Sequence, residues 1–369
     1  MRTRNGWVVA GLLAGAAACG GEERAPGASA AAPAAPARAD TLSLEERRRI
    51  PGSVAFISEA GGGKDVHRVR PDGSAEERLA AGPLDEFNGP GAPDGGAVVV
   101  TTVARDGGGH LERMWAHPVG AGRARALGAP GPQVRHPSWS PDGEWLVFQS
   151  SAASFGDLYR VRRDGTGLRR LTDNPEGNFE PAVSPDGAWV AFVSSRDSVA
   201  ELYRMRPDGT GQERLTRTRR DEWAPRWSPD GRLLAFLSDR TGCDRVWVMA
   251  PDGSSARRLS GAPDDEYTAE ADPAWSPTGR AVAYTFQQRG VPSRVYVHDL
   301  VGGRRAEVRV PGGGTVEDPA WSPDGRHLVV TSTRGGRSEL YLARADGSGA
   351  TRIAGARGSA WNPVWLPSR

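Results

Sequence analysis

The chain has 369 residues, 25% of them charged and 38% hydrophobic, with a formal net charge of +2. Such a near-balance, with the basic residues spread along the whole chain, gives no reason to expect nucleic acid or an anionic membrane as partner. Two cysteines, Cys19 and Cys243, are too few for a disulfide framework, and 49 glycines with 29 prolines describe a chain that turns often.

Taken in order, Met1-Arg2-Thr3-Arg4-Asn5 is a basic start and Gly6 to Ala18 is an apolar run of signal-peptide length, too short to cross a bilayer as a helix. Residues 1–19 are therefore expected to direct export, and Ala16-Ala17-Ala18 before Cys19 suits signal cleavage. Residues 20–50 are rich in alanine and proline, as in Ala25-Pro26, Ala32-Pro33 and Ala35-Pro36, and offer nothing for a core. This composition predicts a disordered tether, with Glu45-Glu46-Arg47-Arg48-Arg49 read as solvated linker before Pro51.

From residue 51 to 369 one phrase returns. Its clearest copy is Ala224-Pro225-Arg226-Trp227-Ser228-Pro229-Asp230-Gly231 followed by Leu233 to Leu237. Ser-Pro-Asp-Gly is a tight turn, because proline presets φ, aspartate favours the next place and glycine accepts positive φ. The apolar run after it reads as a strand buried on both faces. The turn proline recurs at Pro93, Pro141, Pro185, Pro229, Pro277, Pro323 and Pro367, at intervals of 48, 44, 44, 48, 46 and 44 residues. A period near 45 in all-β sequence predicts a β-propeller with one four-stranded blade per repeat.

The repeats begin in mid-phrase. Val54 to Ser58, Val66 to Arg70 and Glu76 to Ala80 match a blade's last three strands, and its first strand lies at the other end of the chain, at Trp361 to Leu366. One C-terminal and three N-terminal strands are thus expected to close the circle and leave no open edge. Counting second strands from Val54, Val98, Leu146, Val190, Leu234, Val282 and Leu328 gives seven blades. The second repeat, with Gly91-Ala92-Pro93-Asp94-Gly95 and no entry-strand tryptophan, is the most degenerate, and six blades is the alternative.

These motifs resemble the WD-repeat-like propellers of the TolB type, whose blades carry Pro-x-Trp-Ser-Pro-Asp-Gly, then an apolar strand, then Leu-Tyr and a Leu-Thr ending; Leu202-Tyr203 and Leu215-Thr216 are copies here. The resemblance covers residues 51–369 and implies the fold. The same family includes a periplasmic partner of the peptidoglycan-associated lipoprotein, propeller domains of oligopeptidases, and pectate-degrading lyases. TolB itself resembles a six-bladed propeller behind an α/β domain that this chain lacks, so its partner does not carry over. The small residues ending at Cys19 also resemble a lipoprotein lipobox, with Ala16 where that motif usually has leucine. That likeness implies a lipid on Cys19 and, with Gly20 following, an outer-membrane lipoprotein facing the periplasm.

Tryptophans at Trp139, Trp227, Trp275, Trp321 and Trp365 all stand two residues before a turn proline, and one recurring place argues for packing between blades. Burying about 200 Å² of ring at about 25 cal/mol per Å² contributes about 5 kcal/mol gross. Trp223 and Trp361 are read instead as lying in loops before the entry strand, as ligand contacts. Asp-Gly turns follow strands one and three, so the long variable loops share the other face, where function is expected. Arg196, Arg240 and Arg334 lie on those loops. The residues preceding the entry-strand prolines, His136, Glu180, Asp272, Asp318 and Asn362, are expected to ring the channel mouth, or else to cap strands and bond neighbouring backbone. Asp264, Asp265, Glu266, Glu270 and Asp272 form an acidic loop without the spacing of an EF-hand, and are read as solvated surface.

Catalytic motifs are scarce. The chain has no Gly-x-Ser-x-Gly elbow, and its six histidines form no His-Glu-x-x-His pair. The leading expectation is a non-catalytic, monomeric, envelope-associated propeller that needs no cofactor or metal and binds a protein or peptidoglycan-associated partner through its long-loop face. The competing expectation is a polysaccharide-active enzyme resembling the seven-bladed lyases, which requires His136 to stand among other metal or acid-base groups.

Overall fold

A computed structural model describes residues 41–80, 82–106, 109–128, 133–153, 155–261 and 267–368. Seven four-stranded antiparallel sheets make up the fold, which is all-β apart from one short helix. The first strand of each sheet packs against the first strand of the next, all the way around, so the seven sheets are blades of a closed propeller. The first blade is assembled from both ends of the chain: Ala360–Leu366 pairs antiparallel with Ser53–Ser58, Val54 opposite Trp365 and Ala55 opposite Val364. The degenerate second repeat is a full blade, with hairpin strands Ala97–Asp106 and Gly109–Pro118 the longest among the described residues.

The turn chemistry appears as the spacing predicts. In the fifth blade Ser228 Oγ donates to Asp230 Oδ1 at 2.6 Å and accepts from Leu233 N at 2.9 Å, while Gly231 sits at φ 69°. The hydroxyl of Ser228 holds the Asp230 carboxyl below the usual carboxylate range. The second strands, such as Leu234-Ala235-Phe236, are wholly buried, as a strand packed on both faces must be. Four of the recurrent tryptophans tie blade to blade: the indole N–H of Trp139, Trp227, Trp275 and Trp321 donates to Pro90, Ala182, Arg226 and Ala274 carbonyl oxygens at 2.9 to 3.2 Å.

Residues 42–50, assigned to the tether on composition, are docked instead. Ser43 caps the helix Leu44–Arg49 by accepting from Glu46 N, and Leu42 and Ile50 are only 3% and 5% exposed, packed among Val329, Leu342 and Ile353. Glu46 accepts from Arg344 Nε at 2.9 Å and Nη2 at 2.8 Å, and Arg47 Nη1 donates to Asp72 O. Two buried apolar anchors flanking a charged turn outweigh what composition suggests. The rest of the expected tether, the leader and Cys19 lie outside the described residues.

Candidate functional site: the channel mouth

Every blade's first strand carries the same irregularity. Two consecutive residues, the second a proline, oppose a single residue of strand two, which is Phe56, Val99, Phe148, Phe192, Phe236, Tyr284 or Val330 in turn. Proline has no N–H for the ladder, so a bulge is the place a strand tolerates it. In six of the seven blades the residue before the proline adopts the left-handed region: φ is 50° at His136, Glu180 and Ala224, 51° at Asp272, 53° at Asp318 and 52° at Asn362. Asp, Asn and His are the side chains most at ease there after glycine.

This bulge gathers His136, Glu180, Asp272, Asp318 and Asn362 at one level of the innermost strands, and several of them bond around the circle. Glu180 Oε2 accepts from Ala224 N at 2.6 Å, one blade on, and the Asp318 carboxylate accepts from the backbone N–H of Asn362. Asn362 Nδ2 donates to Asn88 Oδ1 at 3.1 Å, while Asn88 Nδ2 donates to Asn362 O at 3.0 Å. Glu180 and Asp318 thus bond backbone one blade on, whereas His136 meets a side chain, Gln149 Oε1, at 3.1 Å.

The ring is acidic on one side. Asp272 is open to water along the channel but has protein on all sides, and this enclosure pushes its carboxyl above the usual range, with Glu317 adding to it and Thr285 and Arg226 opposing. Asp318 is pushed up to about 7, first by enclosure and then by the charge of Asp272. The sign is set by comparison with an unfolded carboxyl near 3.9: the folded state binds this proton more tightly, so stability rises as pH falls from about 7 toward about 4 and is lowest above 7. Asp318→Asn is accordingly expected to raise the melting temperature by about 2 °C at about pH 8, with a gain that vanishes near pH 4, read by thermal unfolding across pH; channel water screens the charges, so about 1 kcal/mol is expected, below the nominal shift.

The remaining residues assigned to this face are placed differently. Trp223 and Trp361 are not in loops. They lie within the strands Glu222–Trp227 and Ala360–Leu366, opposite Leu237 and Ile57, because the first strand runs several residues past its bulge. Trp361 is only 8% exposed, and Trp223 packs on a cluster with Leu202 and Phe236. Arg240 is held by Glu222, whose two oxygens it meets at 3.0 Å each, and lies 4.2 Å over the Trp247 ring. Arg196 bonds Asn178 and Gln212 and covers Tyr203. Arg334 is exposed, its Nη1 donating to Gly312 O at 3.2 Å. His136 Nδ1 lies 3.1 Å from Gln149 Oε1, and among the described residues no group of three His, Cys, Asp or Glu side chains is arranged to hold a metal. Asp264, Asp265 and Glu266 lie outside the described residues, while Glu270 is buried and accepts from Val246 N at 2.8 Å.

A TolB beta propeller domain model matches residues 166–272 and 268–369, more than half of the chain. An uncharacterized protein of Agrobacterium fabrum is 42% identical over 45 residues, which span 12% of this chain and 15% of that protein. Among solved structures, TolB from Acinetobacter baumannii superposes with a TM-score of 0.55 at 18% identity, covering 90% of this chain and 88% of that one. An oligogalacturonate lyase in complex with manganese superposes with a TM-score of 0.56 at 14% identity, covering 83% and 86%. At these identities the likeness is one of fold.

Proposed function

From the premise that this chain belongs to the TolB beta propeller domain family, we propose that it is an exported, non-catalytic propeller that engages a protein or cell-wall-associated partner through its long-loop face. The observation that carries this reading is the docking of residues 42–50 on the opposite face. Leu42 N donates to Gly349 O, just past the Asp346-Gly347 turn, and Arg47 to Asp72 O in the Asp72-Gly73 turn, so the described end nearest Cys19 lies on the turn face. A lipid on Cys19 would then hold the turn face toward the outer membrane and present the channel mouth to the periplasm. The His136 surroundings count against the polysaccharide-lyase reading, since Gln149 is its partner and, among the described residues, no group of three His, Cys, Asp or Glu side chains is arranged to hold a metal.

The test is comparative capture from envelope extracts. A specific partner is expected to be retained by the wild type and by Asp252→Asn on the turn face, and lost with Arg289→Glu combined with Arg334→Glu on the exposed long-loop rim. Retention by the rim variant, loss with the turn-face variant, or cleavage of oligogalacturonide by the purified protein with manganese would overturn the proposal.

A further inference from the structure

One layer beyond the polar ring, each innermost strand contributes another residue, and six of the seven are small: Gly91, Ser138, Ala182, Ala274, Ala320 and Val364. The seventh is Arg226. An exposed side chain on an innermost strand, with a blade packed on either side, opens onto the channel, and Arg226 is exposed. Its backbone oxygen accepts from the Trp275 indole at 2.9 Å, which fixes it beside the strand that carries Asp272. Among the described residues its guanidinium donates to Pro225 O, its own neighbour, at 2.9 Å. It is near enough to steady the Asp272 carboxylate without forming an ion pair with it among the described residues.

On the next two blades stand Asp272 and Asp318, close enough that the charge of Asp272 raises the Asp318 carboxyl. Behind them Thr285 and Thr331, 0% and 4% exposed, steady the Asp272 and Asp318 carboxylates, and among the described residues their hydroxyls complete no hydrogen bond of ordinary length. A cation thus stands in a layer otherwise made of small side chains, one step along the channel from a pair of anions in the polar ring. Buried hydroxyls such as those of Thr285 and Thr331 are costly to leave so unless a partner completes them.

We propose that the channel mouth is a binding site for a compact zwitterion of the α-amino acid class, its ammonium received by Asp272 and Asp318 and its carboxylate by Arg226. The ligand's two charges lie a few ångströms apart, so one molecule bridges a cation and anions that do not bridge each other. Binding an ammonium requires the carboxyl pair to be ionised, and the groups facing that pair are Glu317, which opposes ionisation, and Arg226, which favours it. Affinity therefore rises with pH and a proton is released on binding. The site does not depend on the partner reading, because a channel ligand can bind while the outer rim binds nothing.

Isothermal titration of the full chain with glycine, and separately with methylammonium and with acetate as its two halves, tests the site. Glycine is expected to bind about tenfold more tightly than either half, and Arg226→Gln and Asp272→Asn are each expected to weaken it about fivefold. The affinity is expected to rise at least about threefold between about pH 5.5 and about pH 8. Thermal unfolding of each variant checks that it is folded, and Arg226, being exposed, is the substitution least able to disturb packing. Methylammonium binding as tightly as glycine, affinity unchanged in folded Arg226→Gln, or no heat and no melting shift with any of the three probes would overturn the proposal.

Discussion

Deleting residues 360–369 is expected to remove most of the folding stability, on the order of 5–15 kcal/mol for a domain. The deleted strand is the innermost of its blade. It takes with it Leu366, wholly buried among Ala55, Val66, Val98 and Val100, together with Ala360 and Trp361, and the indole bond from Trp365 to Pro51 O at 3.0 Å. What remains is an unpaired edge at Ser53–Ser58 and a gap in the circle between the second and seventh blades. An exposed apolar edge also recruits other chains, so aggregation should accompany the loss. Urea unfolding followed by circular dichroism reads the effect, and the peptide 360–368 added in trans should restore part of the transition by strand addition. A truncated protein with an unchanged midpoint would contradict closure through the two chain ends.

Arg240→Ala is expected to cost about 3–5 kcal/mol, the range for stripping the partner from a buried charge. Glu222 is 0% exposed and accepts from Thr218 Oγ1 at 2.8 Å, Ser238 Oγ at 3.1 Å and both contacts of Arg240. Burial already pushes its carboxyl up to about 7 against these partners. Without the guanidinium the folded state must bury a lone carboxylate or bind a proton that the unfolded chain, with a carboxyl near 4.3, gives up. The deficit should thus be largest above about pH 7 and shrink as pH falls toward about 5. Pairing the change with Glu222→Leu should recover most of the loss, as exchanging a buried pair for apolar groups commonly does. Chemical denaturation of the single and double variants at two pH values checks it; a single variant as stable as the wild type would return Arg240 to the recognition rim where its loop position first placed it.

How far the residues themselves announced this architecture differs from one feature to another. The circle was legible because Ser-Pro-Asp-Gly, the tryptophan two places before its proline and the apolar run after its glycine are local signals, each with a local cause. Even the closure could be read, since Trp361 to Leu366 copies a strand that the first repeat lacks. The docked segment was not legible: Leu42 and Ile50 are two apolar residues in a charged, proline-flanked stretch, and only the surface between blades seven and one makes them anchors. Trp223 and Trp361 were misplaced for a similar reason, because nothing near the proline tells how far a strand continues before it.

Of the candidate site, the ring was visible as residues preceding a repeated proline. Arg226 was not singled out from the residues, because the column of Gly91, Ser138, Ala182, Ala274, Ala320 and Val364 in which it is the single long side chain gains meaning only when the strands stand side by side.

Repetition, turn type and burial period are properties of a few neighbouring residues, so the order of amino acids alone determined the seven blades, the seam between the chain ends and the two unlike faces. Which charges meet was decided by the folded ring. Asp272 and Asp318 are 46 residues apart in the chain. They share a lumen with Arg226 because successive blades bring equivalent places together, and the energy of that meeting depends on distance and enclosure, which no local pattern encodes.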